Sequence, residues 1–331
     1  MRKMVRTRRG AWTAALLAVT VTGSLMTGCT AGDGRGGGPT DDGRARVPSP
    51  SPSDSASSSA STGSVLAVKI DNVAAARPQA GLDAADVVYA EQVEGGLSRL
   101  MAVFASTFPK AVGPVRSARE SDLELLRQFD EPTLAFSGAQ HKLLPLIDKA
   151  PLHPQLPGKV PDAWYRGNDK AAPHNLYLRP QRLVGDAPGD AALSTGFRFG
   201  PAPSGGTPEA SRTVRFPSAK FTFTWSAERK RWTVAMDGTP TVTTEGTSVA
   251  PATVVIQHVT VRTSKYHDVL GNNTPYTESV GSGTATVLRD GRSYDAAWKR
   301  SDASDGTEFT TPDGSPMNFA RGQVWVVLAK T

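Results

Sequence analysis

ADVVYAEQVEGGLSRLMAVFAS, residues 85–106, decides how the rest of the chain is read. Its two apolar runs, one around Val87, Val88 and Tyr89 and the other from Leu100 to Phe104, have strand length and strand-type residues. Between them Glu94, Gly95 and Gly96 supply a turn, because glycine reaches backbone angles closed to other residues. The upstream run VLAVKIDN, residues 65–72, reads as a further strand. Downstream, SARESDLELLRQF, residues 117–129, predicts an amphipathic helix. Ser117 with Glu120 and Ser121 with Glu124 have capping-box spacing, and Leu123, Leu126 and Phe129 share one helical face. PTLAFSGA, residues 132–139, returns to strand, and HKLLPLIDK, residues 141–149, predicts a short helix begun or kinked at Pro145.

At residues 200–208 the text becomes GPAPSGGTP, a linker-like joint. Beyond it the character is strand throughout: KFTFTW and RWTVAM alternate apolar and polar positions, TVVIQHVTV follows, and GQVWVVLA comes near the end. In TATVLRDGRSYDAAW the pair Asp290 and Gly291 predicts a two-residue hairpin turn. The expected fold class is therefore α+β, an N-terminal mixed α/β domain over 65–200 followed by a smaller antiparallel, mostly β domain over 201–331.

The first residues, MRKMVRTRRG, carry five cations, and an uncharged apolar stretch leads to LMTGC. Residues 1–28 thus read as a secretory signal peptide, too short and too rich in Thr and Gly for a comfortable bilayer span. Arg8 and Arg9 raise the twin-arginine route, but GAW follows them and general secretion is the preferred reading. Cys29, the only cysteine, stands where lipoprotein signals place the acylated residue, although Met26 replaces the usual leucine. The blander alternatives are a free or buried thiol, or ordinary cleavage nearby. A single cysteine also excludes an intramolecular disulfide.

The formal charge of +6 belongs mostly to the leader, and its removal leaves about +1. That is no concentrated cationic surface, so nucleic acid is set aside as a partner. Residues 29–64 hold Cys29 and a Gly/Ser/Pro-rich stretch that buries too little apolar surface to order itself. The expected result is a disordered tether reaching on the order of 30–35 Å.

VKIDNVAAARPQAGLDAADVVYAEQVEGGLSRLMAVFAS, GPVRSARE and APHNLY, with GSGTATVLRDGRSYDAAWKR in the second half, resemble the YerB-like family of bacterial lipoproteins. The resemblance covers essentially all of residues 65–331. It implies a two-part architecture and an envelope address, and it implies no chemistry, since the family is one of unknown function. Relatives tend to carry an acid where this chain has Ala90, and Glu91 is the neighbouring residue that could stand in.

Arg116, Ser117 and Arg119 sit where the helix is expected to begin, and guanidinium forks bind carboxylate or phosphate bidentately. An anion pocket is one reading. The other is that the arginines pair with Asp86, Glu91 or Glu94 and lock strand to helix. Further polar residues lie at strand ends or in loops: Asp71 and Asn72, read as turn stabilisers, then Arg77, Arg99, Arg166, His174 and Asn175. His174 suits a loop-bracing hydrogen bond as well as ligand contact. The templates GxSxG, HExxH and the P-loop do not occur, the histidines lack metal-ligand spacing, and neither metal nor cofactor is expected. The leading expectation is a membrane-anchored extracytoplasmic protein that binds an anionic wall component or an envelope protein. The alternative is an envelope enzyme acting on a phosphate-bearing or glycan substrate, with Asp71, Glu91 or Glu94 as base or cation ligand.

Overall fold

In a computed structural model of the chain, the structure describes residues 63–268 and 271–331. The leader, Cys29 and all but the last two residues of the expected tether lie outside them.

The first strands are β1 (Leu66–Asp71), β2 (Val87–Gln92) and β3 (Ser98–Phe104), followed by α1 (Glu120–Leu126), β4 (Thr133–Ala135), α2 (Leu144–Lys149) and β5 (His153–Gln155). A small hairpin, β6 (Trp164–Arg166) and β7 (Leu176–Leu178), precedes α3 (Pro180–Val184) and β8 (Thr207–Pro208). Next come β9 (Ser211–Phe216), β10 (Ala219–Ser226), β11 (Arg231–Met236) and β12 (Thr239–Pro240). The chain continues through β13 (Thr253–Val259), β14 (Val261–His267), β15 (Asn273–Thr277), β16 (Gly281–Arg289), β17 (Arg292–Arg300), β18 (Glu308–Thr310) and β19 (Val324–Lys330).

One large sheet has the order β18-β17-β16-β13-β19-β2-β3-β1-β4-β5. Its last strand in sequence, β19, lies between β13 and β2 and runs parallel to both. The β1–β3 and β2–β3 pairs are antiparallel, whereas β1, β4 and β5 run parallel. The expected α+β class is therefore corrected. The structure is 42% strand and 11% helix, and strands from both sides of residues 200–208 share one mixed sheet. The helix predicted within residues 117–129 shortens to α1, seven residues whose Leu125 and Leu126 join the core on one face of the sheet.

Strand alternation divides the core in two. Leu66, Val68 and Ile70 of β1, Val88 and Ala90 of β2, and Leu100, Ala102 and Phe104 of β3 join one cluster. That cluster includes Phe221, Phe223, Trp232 and Trp325, so this face packs on the antiparallel sheet β12-β11-β10-β9. The indole of Trp325 meets Phe221 and Phe223 edge-on, at ring separations of 6.2 and 6.0 Å. Val65, Ala67, Tyr89, Met101 and Val103 face the other way, onto Leu125, Leu126, Phe129 and Ile147.

Two turns follow their sequence signals. Gly95 and Gly96 have φ of 67° and 70°, and a Cβ on Gly96 would come within 2.5 Å of Pro217. Asp290 and Gly291, with φ of 51° and 70°, close the β16–β17 hairpin where Arg289 pairs with Arg292.

Candidate anion-binding site

On the α1-facing side of the sheet, apolar positions give way to charge at one end. Ala67 is followed two residues on by Lys69 and then Asp71, Tyr89 by Glu91, and Met101 is preceded by Arg99. The antiparallel register sets Arg99 opposite Asp71 on one side and opposite Glu91 on the other. Facing pairs share a side of the sheet, so these side chains gather.

The deeper part is a sealed triad. Lys69, with no exposed surface, donates to Glu91 Oε1 at 2.8 Å and to Asp122 Oδ1 at 2.6 Å. Burial works to lower the Lys69 pKa, but Asp122 and Glu91 together outweigh it and raise it. Glu91 is pushed up to about 7, first by burial and then by Asp122, with Lys69 opposing. Asp122 also accepts from the Arg119 backbone N–H at 2.7 Å. Arg119, with extended backbone, is thus the residue that caps α1, and neither Ser117 nor Ser121 does.

Above the triad sit three arginines. Residues 113–116 run antiparallel to β1, with Ile70 bridged to Val115 and the Arg116 N–H donating to Lys69 O at 2.8 Å. Beside this segment lies β7, where Val115 N–H reaches Leu176 O at 2.7 Å, and this carries the preceding His174 to the end of β1. His174 Nδ1 lies 2.8 Å from Asp71 Oδ2, and Arg116 Nε approaches the same oxygen at 2.9 Å, without the alignment of a hydrogen bond. Arg119 is taken up by Glu94: Nε and Nη2 donate to the two carboxylate oxygens at 2.6 and 2.7 Å. The Thr274 hydroxyl donates to Glu94 as well, at 2.6 Å. Burial opposes the charge on Glu94, but these partners outweigh it and lower the pKa below the ordinary carboxylate value.

Arg99 differs from both. It is 9% exposed, and among the described residues its one hydrogen bond goes to the Ser117 carbonyl, at 3.1 Å. Burial first, then repulsion from Arg119 and Arg116, brings its pKa down to about 10 against weaker support from Glu94 and Asp71. A buried guanidinium between two others, with no carboxylate of its own, leaves the cluster short of negative charge.

The remaining candidates separate. Asn175 braces the β6–β7 loop, accepting from Arg166 Nη1 at 2.8 Å and donating to Gly167 O at 2.9 Å. Ser117 Oγ lies 3.5 Å from Ser137 Oγ. Asn72 and Arg77 belong to a neighbouring network: Arg77 donates to Asn72 and to Asp237 Oδ2, which ties the β1 end to the antiparallel sheet. Asp86 is used by the Ala105 and Ser106 N–H groups. Among the described residues no three His, Cys, Asp or Glu side chains are grouped to hold a metal ion. Lys69 and Asp122 were missed as polar-site residues; charge at alternate positions of otherwise apolar strands is the signal that marks Lys69.

Comparison with known proteins places this scaffold in a family. Residues 52–193 match the N-terminal domain, and residues 212–326 the C-terminal domain, of a protein of unknown function, DUF3048. The chain belongs to this family. It is 48% identical over 65 residues to "Putative lipoprotein YerB" of Bacillus subtilis (strain 168), a stretch that spans 20% of this chain and 20% of that relative. The crystal structure of YerB protein from Bacillus subtilis superposes with a TM-score of 0.66 over 80% of this chain and 90% of that one, at 22% identity, a likeness of fold.

Proposed function

We propose that this protein is a lipid-anchored extracytoplasmic lipoprotein of the cell envelope that captures a phosphate or carboxylate group at Arg99, Arg116 and His174. Arg119 serves as the brace that holds this cluster against Glu94. Arg99 carries the reading: a desolvated guanidinium without a carboxylate is stabilised by an incoming anion, and fork geometry suits two acceptor oxygens. Kinship to a protein named as a lipoprotein supports the anchor at Cys29. An anionic wall polymer is the ligand class that such a location offers.

The test is titration of the purified chain with inorganic phosphate and with acidic wall fragments. Each charge-assisted hydrogen bond contributes roughly 1.5–3 kcal/mol, so Arg99→Gln with Arg116→Gln should weaken binding by about a hundredfold while the protein stays folded. Equal binding by the double variant rejects the site. Cys29→Ala should move the protein out of the membrane fraction or leave it unprocessed.

The Asp71–His174 pair supports a second reading, an enzyme acting on a phosphate-bearing substrate. A carboxylate accepting from Nδ1–H leaves the Nε2 lone pair available as a general base, and Nε2 has no protein partner among the described residues. On that reading His174→Asn abolishes turnover and spares binding.

A further inference from the structure

The antiparallel sheet β12-β11-β10-β9 carries a charge surplus that the fold does not balance. Residues 211–240 hold six Arg and Lys against two acids, whereas the whole chain beyond the leader comes to about +1. The near-neutral total hides a local excess of cations.

Alternation decides which side of the sheet they take. Val214, Phe221, Phe223 and Trp232 point into the core, so Thr213, Arg215, Lys220, Thr222, Thr224 and Thr233 stand on the opposite, solvent side. The register sets Arg215 directly opposite Lys220. Like charges in facing positions destabilise a sheet, and neither side chain has an ion pair among the described residues. Asp237, which accepts from the Lys220 backbone N–H, has its charge taken up by Arg77 at 2.8 Å. At the far end the β10–β11 turn adds Arg229 and Lys230, exposed and likewise without an ion pair among the described residues, beside Glu228. Between the two ends lie short hydroxyl side chains that bond one another, Thr213 with Thr222 at 2.9 Å and Ser211 with Thr224 at 3.2 Å. No acid stands on β9, β10 or β11. The face is thus low and neutral at its centre and cationic at both ends, which are about 20 Å apart along β10. One small anion cannot span that distance, whereas a flat layer of negative charge meets both ends at once.

We infer that this face docks on an anionic phospholipid surface, that of the membrane holding Cys29. The inference rests on the lipid anchor proposed above and not on the anion site. Residues 30–62 span at most about 110–120 Å even when fully extended, so the bilayer stays within reach of the sheet. Confinement raises the effective concentration, and modest attractions of several Lys and Arg to anionic headgroups then suffice.

For the test, the acylated chain carrying Ser218→Cys, with a fluorophore on that thiol, is reconstituted into phosphatidylcholine vesicles with or without about a third phosphatidylglycerol, and an acceptor is placed on the headgroups. Energy transfer should be about twofold higher or more with phosphatidylglycerol, and should fall to the phosphatidylcholine level at about 1 M salt, where the Debye length is about 3 Å. Arg215→Gln with Lys220→Gln and Arg229→Gln should abolish the gain with an unchanged or higher Tm, since a facing like-charge pair is removed. Arg99→Gln with Arg116→Gln should leave the gain intact. A chain that does not float with phosphatidylcholine vesicles lacks the anchor, and the docking reading falls with it; a chain that floats but shows equal transfer on both vesicles overturns the docking alone. Retention of the gain in the folded triple variant, its loss in the Arg99 and Arg116 variant, or a response to acidic wall fragments in place of phosphatidylglycerol, which would make a wall polymer the occupant, likewise overturns it.

Discussion

Two charged regions share one side of the same strands and differ in how their charge is balanced. The Lys69–Glu91–Asp122 triad is sealed, one cation between two acids, and the excess negative charge is relieved by raising Glu91 to about 7. The arginine cluster at the strand ends is partly open: Asp71 and Glu94 face Arg116, Arg119 and Arg99, and Arg99 remains without an acid. In the first, neutralisation comes from within the fold, so the group is structural. In the second it is incomplete, and a ligand can complete it.

Breaking the triad should have the largest effect. Lys69→Ala leaves two buried carboxylates without their cation and should cost about 3–5 kcal/mol in urea or thermal unfolding. A cost below about 1 kcal/mol would mean the triad is not what holds α1 to the sheet.

The next effect is on pH dependence. Glu91 has a raised folded pKa, so its share of stability is fully present below the unfolded value of about 4.5 and is lost as pH rises through about 7. Stability should therefore fall by on the order of 2 kcal/mol between pH 5 and 8. Glu91→Gln should flatten that slope. Glu94 acts in the opposite sense: its pKa is lowered, so its contribution is present above about 4.5 and disappears as pH falls through the folded value. Denaturation midpoints measured across pH separate the two.

Within the cluster the two arginines should part. Arg119→Ala strands the buried Glu94 carboxylate and should cost about 1–2 kcal/mol. Arg99→Gln removes an unbalanced charge and should change stability by no more than about 0.5 kcal/mol, while phosphate binding falls about tenfold. If Arg99→Gln unfolds the protein and Arg119→Ala does not, brace and binder are exchanged.

Much of the local structure was legible. Residues 65–72, 85–93 and 97–106 carry strand residues in strand-length runs, and the 94–96 and 290–291 turns need the positive φ that their glycines supply. The site was legible in part. Arg116 and Arg119 stood out because they flank a helix start, yet α1 is capped by Asp122 through the Arg119 N–H, a contact that serine spacing does not reveal. Arg99 looked subordinate, since its isolation is visible only once Glu94 has been claimed by Arg119 and Glu91 by Lys69. Several acids are near in sequence to each arginine, and sequence separation does not rank them.

By itself the sequence determined the longer core strands, such as β1, β2, β3, β10, β11 and β19, and the turns at 94–96 and 290–291, because alternation, β-branched runs and glycine are local properties. Family membership is likewise carried by local words such as GPVRSARE and APHNLY, which lie within the segment matched to the family's N-terminal domain. Only the tertiary structure decided that β19 lies between β13 and β2, which brings strands from both sides of residues 200–208 into one mixed sheet. Strand partnership depends on burial shared across hundreds of residues, and Trp325 finds Phe221 and Phe223 only after the chain has folded back over them. The same holds for charge: which guanidinium is left without a carboxylate is set by distances of a few ångströms between segments far apart in the chain.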